Sequence, residues 1–406
     1  MFILFILVFA VSSSITFQFW KRLTYNTLIN MPIFLVALLY QLFGDVFSFK
    51  ELNESIYLYF SLFMIIGSTI EIIVVVLYRY NYNNILPNKQ SMNIPASFIY
   101  FIAGGAVFIL IVSLSYAQQY GIVSEAFKAK MASGFIGHAL VFLMITPPFI
   151  YLAYANKNIN KITFIVSIML VFACLFFKQV KSWIMIPAVY FFVMYLYYNK
   201  VNKKKFIIHS MLVTVILLML FFLVYYFKSK LINSDSDSWV LIGQIYQHFL
   251  FYLFSGIGAF SEYLKSNMPE SSNSWYVLIL PIVNTVHFFS GEPMQSAINP
   301  MSYIINYEIT NSSNVFTMFG TLLMYLNNYS FLFYGIVVMF QSVLFISRKN
   351  VVACNVFWLI TSFGLFSWFE YYYFHLASYE APLYVLILSM IFSGKKNEKR
   401  MLNSHS

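Results

Sequence analysis

Charge is scarce in this chain. Of its 406 residues only 24 are lysine or arginine and 14 are aspartate or glutamate, while 61% are hydrophobic, so a water-soluble globule would have too little polar residue to cover its surface. Cysteine is scarcer still. Cys174 and Cys354 each lie inside an apolar run, which excludes a disulfide framework and a cysteine-based metal site and leaves them as packing residues. The six histidines, His138, His209, His248, His287, His375 and His405, form no H-x-x-H or H-E-x-x-H pattern, so neither a metal nor any other cofactor is expected. The GIG at Gly256 to Gly258 is not a nucleotide loop, no G-K-[ST] occurs, and no serine sits in a G-x-S-x-G setting. Nucleotide chemistry and a nucleic-acid partner are not expected.

Long apolar runs separated by short charged punctuation are what the chain has instead. A bilayer core of about 30 Å needs roughly 20 apolar residues per helical crossing. Such runs recur at 2–20, 28–44, 55–78, 97–117, 134–154, 162–177, 182–198, 206–227, 319–347, 351–369 and 381–393, which predicts an all-α polytopic integral membrane protein of about 11 transmembrane helices. It reads as a single membrane domain, 1–406. The first run lacks the basic start of a secretory signal and reads as a retained span.

Lysine and arginine set the orientation, because cytoplasmic loops hold their excess. Lys21/Arg22, Arg79/Lys89, Lys157/Lys161, Lys200/Lys203/Lys204/Lys205, Arg348/Lys349 and the tail Lys395/Lys396/Lys399/Arg400 all fall on one side, 16 of the 24 basic residues. That side is the cytoplasm, and 394–406 is a basic cytoplasmic tail. The opposite side receives twelve of the fourteen acids and one large loop, 228–318, of 91 residues. A loop of that size in a packed protein is usually functional. Its apolar stretches 239–260 and 275–289 predict interfacial or re-entrant helices.

Lys178 and Lys181, in KQVKSWIM, lie between two spans that one helix of about 55 Å would overfill, so the chain turns there. That turn is on the outer face, where positive charge is disfavoured. Two accounts fit: the lysines snorkel along lipid, or they offer ammonium donors to a membrane-held phosphate. Lys228 and Lys230 open the large loop on the same side and extend the basic rim. Glu71 is the one acid inside a span; it lies about 12 Å before Arg79 on the same helix face, near enough to the inner surface to snorkel or pair. His248, His287, Glu262, Glu292 and Glu308 are the candidate bases of the large loop.

Three short stretches carry a family likeness. FYLFSGIGAFSEYL (251–264) resembles the Y-L-S-G-x-x-A-F-x-x-Y-L stretch in the large loop of the O-antigen polymerases, or oligosaccharide repeat-unit polymerases. TNSSNVFTMFG (310–320) resembles their T-N-[VI]-[YF]-T segment, and KQVKSWIM resembles their basic turn ahead of an apolar span, with lysine where arginine is usual. The resemblance implies a C-type membrane glycosyltransferase, metal-independent and inverting, in the bacterial cytoplasmic (inner) membrane. It would act on the periplasmic face in polysaccharide or lipopolysaccharide biosynthesis, joining O-antigen or capsule repeat units. Donor and acceptor would be oligosaccharides on undecaprenyl pyrophosphate. Lys178, Lys181, Lys228 and Lys230 would hold the diphosphate, Glu262 and His248 are the catalytic candidates, and Gly256, Asn314 and Thr317 would bind glycan or shape the site. Membrane lipids, a chain-length regulator and a flippase are the implied partners. A lipid-linked oligosaccharide flippase and an O-antigen ligase are the alternative readings.

Overall fold

The computed structural model describes residues 1–78, 92–180, 182–199, 208–209, 211–212, 215, 218–219, 222–223, 226, 238–266, 275–295, 299, 301–308 and 312–393. Almost all of the regular structure in them is helical. In lipid every backbone N–H and C=O needs an internal partner, and a helix provides it within one segment.

The helices are α1 (Phe2–Trp20), α2 (Tyr25–Phe43), α3 (Ser55–Leu77), α4 (Ala96–Tyr120), α5 (Glu125–Ala132), α6 (Gly134–Ile145), α7 (Pro147–Ala155), α8 (Lys161–Phe177) and α9 (Ser182–Asn199). After these come α10 (Ser238–Lys265), α11 (Leu280–Ser290), α12 (Met318–Leu326), α13 (Ser330–Ile346), α14 (Val351–Gly364) and α15 (Ala377–Phe392). Among the described residues, six stretches are long and apolar enough to cross a membrane: α1 to α4, Trp239–Lys265 and Met318–Lys349. The pair α5 and α6, bent by 69°, makes a seventh if it counts as one span. This is an all-α membrane protein.

Two expected runs are interrupted. Between 134 and 154 the helix breaks at Thr146, because Pro147 and Pro148 follow and supply no N–H to continue the ladder. Between 319 and 347, Asn327 takes a left-handed φ of 47°, and a short 3-10 turn at Asn327–Tyr329 separates α12 from α13. The turn expected between 177 and 182 is present: α8 ends at Phe177 and Gln179 has φ 58°.

The chain folds as two compact units. One comprises Met1–Ile85, Tyr246–Ser347 and Phe363–Tyr379. Its centre is aromatic: Phe63 of α3 stacks on Phe319 of α12 at 4.3 Å, and Tyr334 of α13 stands edge-on to both. The α2–α3 loop is zipped to the 303–308 segment, where Lys50 N–H donates to the Ile305 carbonyl and Tyr307 N–H to that of Ser48. A two-residue antiparallel pair, β1 (Tyr303–Ile304) with β2 (Ser312–Ser313), closes that segment.

Glu71 lies in this unit and is fully buried. Its carboxylate accepts from Thr24 Oγ1 at 2.6 Å and from Asn26 N–H at 2.8 Å. Those are the N-cap and the second residue of α2. An acid on one helix thus caps the positive end of another, which is where a carboxylate is favoured and where backbone donors lack partners. Asn26 continues the network, donating to Ser68 Oγ and accepting from Tyr334 O–H. Arg79, the pairing partner expected from sequence, is outside the described residues.

The other unit comprises Leu86–Ile245, Arg348–Ser362 and Glu380–Ser406. Here α8 packs on α4, α6, α7 and α9. Buried Asn355 ties α14 to its neighbours, donating to Ser389 Oγ at 2.8 Å and accepting from Tyr198 O–H at 3.3 Å. Cys174 and Cys354 are both buried and unbridged, as packing residues are.

Candidate functional site

In the first unit two of the three stretches that carry the family likeness meet. Thr317 caps α12: its hydroxyl accepts from Gly320 N–H at 3.0 Å, and its own N–H donates to the Gly256 carbonyl at 3.3 Å. Gly256 lies against the chain at 368–369, so close that a Cβ there would stand 2.4 Å from the Trp368 carbonyl oxygen and 2.7 Å from that of Phe369. Only glycine fits that approach. Next door, Met318 N–H donates to the Ser367 carbonyl at 2.7 Å. Gly256 and Thr317 therefore lock α10, α12 and the 367–369 segment together, which makes them framing residues. Thr317→Ala removes a helix cap and is expected to cost about 1 kcal/mol, read as a lower unfolding temperature in detergent; Thr317→Ser is expected to restore it.

Asn314 is half-buried, and its carbonyl accepts from Asn299 Nδ2 at 3.3 Å. Asn299 is in turn held by Tyr325 O–H at 2.8 Å. No described residue bonds the Asn314 side-chain amide.

Glu262 sits between two ammonium groups, Lys265 Nζ at 2.7 Å on one oxygen and Lys50 Nζ at 3.4 Å on the other. Lys265 also donates to the Glu51 carbonyl, and Ser261 Oγ accepts from Asn53 N–H. These contacts join α10 to the α2–α3 loop. The carboxylate thus acts as a joint between α10 and the α2–α3 loop. His248 stands edge-on to Tyr252 at 4.8 Å, and Tyr252 stacks on Phe369. Fourteen residues of one helix separate His248 from Glu262, about 21 Å along its axis. They do not serve one reacting bond.

The other loop candidates are tied locally. His287 has both ring nitrogens engaged, one by Glu292 and one by the Pro293 carbonyl. Glu308 accepts from Ser48 Oγ. No group of three or more His, Cys, Asp or Glu able to hold a metal occurs among the described residues.

Lys178 lies in the second unit. Its side chain is 7% exposed. The ammonium donates to the Met131 carbonyl at 3.0 Å and lies 4.8 Å from the Trp183 ring centre. Met131 is in the last turn of α5, so Lys178 places positive charge at a helix C-terminus, where it is favoured. Gln179 donates to the Ile122 carbonyl just ahead of the same helix. Among the described residues no carboxylate is within ion-pair distance of Lys178. Burial pulls the ammonium down to about 8, which leaves it charged at neutral pH. Because α8 stops at Phe177, Lys178 lies in the turn just beyond the helix. Lys181, Lys228 and Lys230 are outside the described residues.

One further segment frames this site without belonging to any motif. Positions 368 to 374 are aromatic except for Glu370, which pairs with His375 at 3.2 Å. Tyr371 O–H reaches the Leu278 carbonyl at 3.1 Å. The aromatic run WFEYYYF was the available signal, and its contact with Gly256 could not be read from spacing.

The helices and these two clusters define a helical membrane protein with a buried cation in one unit and a glycine-locked helix crossing in the other. Residues 84–398 match the model of a family of unknown function (DUF6337), and the chain belongs to that family. No curated protein and no solved structure matches it.

Proposed function

We propose that the protein is a polysaccharide polymerase of the bacterial inner membrane, with eleven crossings and the 228–318 loop on the periplasmic face. It joins oligosaccharide repeat units carried on undecaprenyl pyrophosphate. The observation that carries this reading is Lys178: a chain with so few charges keeps a lysine only 7% exposed at a helix-hairpin turn, with no carboxylate partner among the described residues. A buried charge is costly unless compensated, and a carbonyl with an aromatic face compensates it only in part. A lipid diphosphate supplies the missing anion, and Lys181, Lys228 and Lys230 belong to the same basic rim in sequence.

On this reading the acceptor sugar hydroxyl attacks the donor's anomeric carbon from the face opposite the diphosphate. A C–O bond forms, the C–O bond to the diphosphate breaks, and the diphosphate leaves with the electron pair. Lys178 stabilises the charge that grows on it. Gly256 and Thr317 hold the frame of the first unit.

The test is Lys178→Gln in a deletion background, since Gln still donates to the Met131 carbonyl but carries no charge. Polymer is expected to give way to single-repeat caps, and unchanged polymer length and amount at equal protein level defeats the reading. Deletion strains that instead accumulate long lipid-linked polymer would point to the ligase, and product missing from the periplasmic side to the flippase. Binding of the lipid-linked repeat unit is also expected to weaken as pH rises through about 8, because lysine is charged below its pKa and neutral above it. Lys178→Arg is expected to abolish that pH dependence, since guanidinium stays charged.

A further inference from the structure

His138 and Glu380 form a pair that no sequence pattern links. His138 is in the first turns of α6 and Glu380 in the first turn of α15, and His138 Nδ1 is 2.7 Å from Glu380 Oε1. The carboxylate is the more buried partner, 17% exposed against 52% for the imidazole. One turn further along each helix, Phe142 meets Tyr384 edge-on at 5.9 Å. Phe98 then packs on both Phe142 and Phe392. The two helices are thus held side by side, and the imidazole is oriented by packing as well as by its hydrogen bond.

A carboxylate that accepts from Nδ1–H fixes the neutral tautomer and leaves the Nε2 lone pair as the acceptor. No described residue bonds His138 Nε2. The other histidine–carboxylate pairs among the described residues differ from it. His287 has no ring nitrogen left over, and His375 is engaged through Nε2 by Glu370, five residues away in the same loop.

Position adds a second observation. The carbonyl that takes the Lys178 ammonium belongs to Met131 of α5. The chain bends by 69° between α5 and α6, and His138 follows directly on α6. Ammonium and imidazole thus flank the same bend within one unit.

We propose that His138, held by Glu380, is the general base that takes the proton from the acceptor sugar hydroxyl. This rests on the polymerase reading above. As the hydroxyl oxygen bonds to the donor's anomeric carbon, its proton passes to His138 Nε2, the diphosphate departs with the electron pair of the broken C–O bond, and the imidazolium afterwards releases the proton to water. Glu380 is a positioning residue that steadies the imidazolium.

The experiment is extension of a purified undecaprenyl-pyrophosphate-linked repeat unit by the purified full chain in liposomes. His138→Asn keeps an N–H for Glu380 but removes the base, and is expected to lower kcat by about 100-fold or more with KM little changed. His138→Ala is expected to be partly rescued by added imidazole, and Glu380→Asp to retain more activity than Glu380→Ala. His138 is half exposed, so each His138 variant is expected to unfold at the wild-type temperature. An active wild type with an equally active His138→Asn overturns the base assignment alone. A wild type that extends nothing overturns the polymerase reading and this assignment with it.

Discussion

Gly256→Val is expected to leave no folded protein extractable from the membrane, and Gly256→Ala to unfold at a markedly lower temperature than wild type. The added Cβ would stand 2.4 Å from one backbone carbonyl oxygen and 2.7 Å from the next, and backbone cannot rotate away as a side-chain tip can. Ser367, immediately before, is pinned by Met318 N–H at 2.7 Å. Overpacking of this kind costs about 3 kcal/mol for alanine and more for the branched side chain. Gly104 and Gly105 in α4 are the controls, since a Cβ at either meets nothing within 4 Å. Alanine there is expected to be neutral or to stabilise by up to about 1 kcal/mol. Equal unfolding temperatures for Gly256→Ala and Gly104→Ala would refute the close crossing of α10 and the 368–369 chain.

Removing the Glu71 carboxylate has the second large effect. Glu71→Ala leaves the Asn26 N–H without an acceptor at the start of α2 and the Thr24 hydroxyl with Thr27 Oγ1, at 3.1 Å, as its acceptor. A stranded buried donor costs about 1–3 kcal/mol, and a loss of that size is expected in detergent unfolding. Glu71→Gln keeps one carbonyl oxygen for Asn26 and is expected to lose less. If Glu71→Ala unfolds at the wild-type temperature while function disappears, the carboxylate is a working group of the membrane interior and the capping account is wrong.

These two cases show what was legible in advance. Glu71 stood out as the one acid inside a span, but periodicity pointed along its own helix toward Arg79. The partners in the fold are on α2, because capping needs a helix end and nothing in the local sequence of α3 says which end is near. Gly256 was legible as part of a family-like stretch, while its reason for being glycine lies more than a hundred residues away at Trp368 and Phe369. The apolar runs at 2–20, 28–44, 55–78 and 97–117 became α1 to α4 with ends shifted by only a few residues. The break at Thr146 was readable from Pro147 and Pro148, and the one at Asn327 was not.

The carboxylate–imidazole pair shows the same limit from the side of chemistry. Neither His138 nor Glu380 belongs to a motif, and their helices are distant in sequence. The rung formed by Phe142 and Tyr384 brings the two first turns level. By contrast, the scarcity of charge and the lysines at 178 and 181 were visible from composition and spacing.

By itself the amino-acid sequence determined that this is a helical membrane protein and where its first four apolar helices run, because lipid leaves the backbone little besides helix and the helix is a local structure. It also marked Lys178 as a cation in an unusual place. Tertiary structure alone decided that Lys178 is buried against Met131 and Trp183, that Glu262 is a joint between two lysines, and that Glu71 caps α2. Those outcomes depend on which helix ends and side chains meet across long stretches of chain, and such meetings follow from packing, which no local pattern encodes.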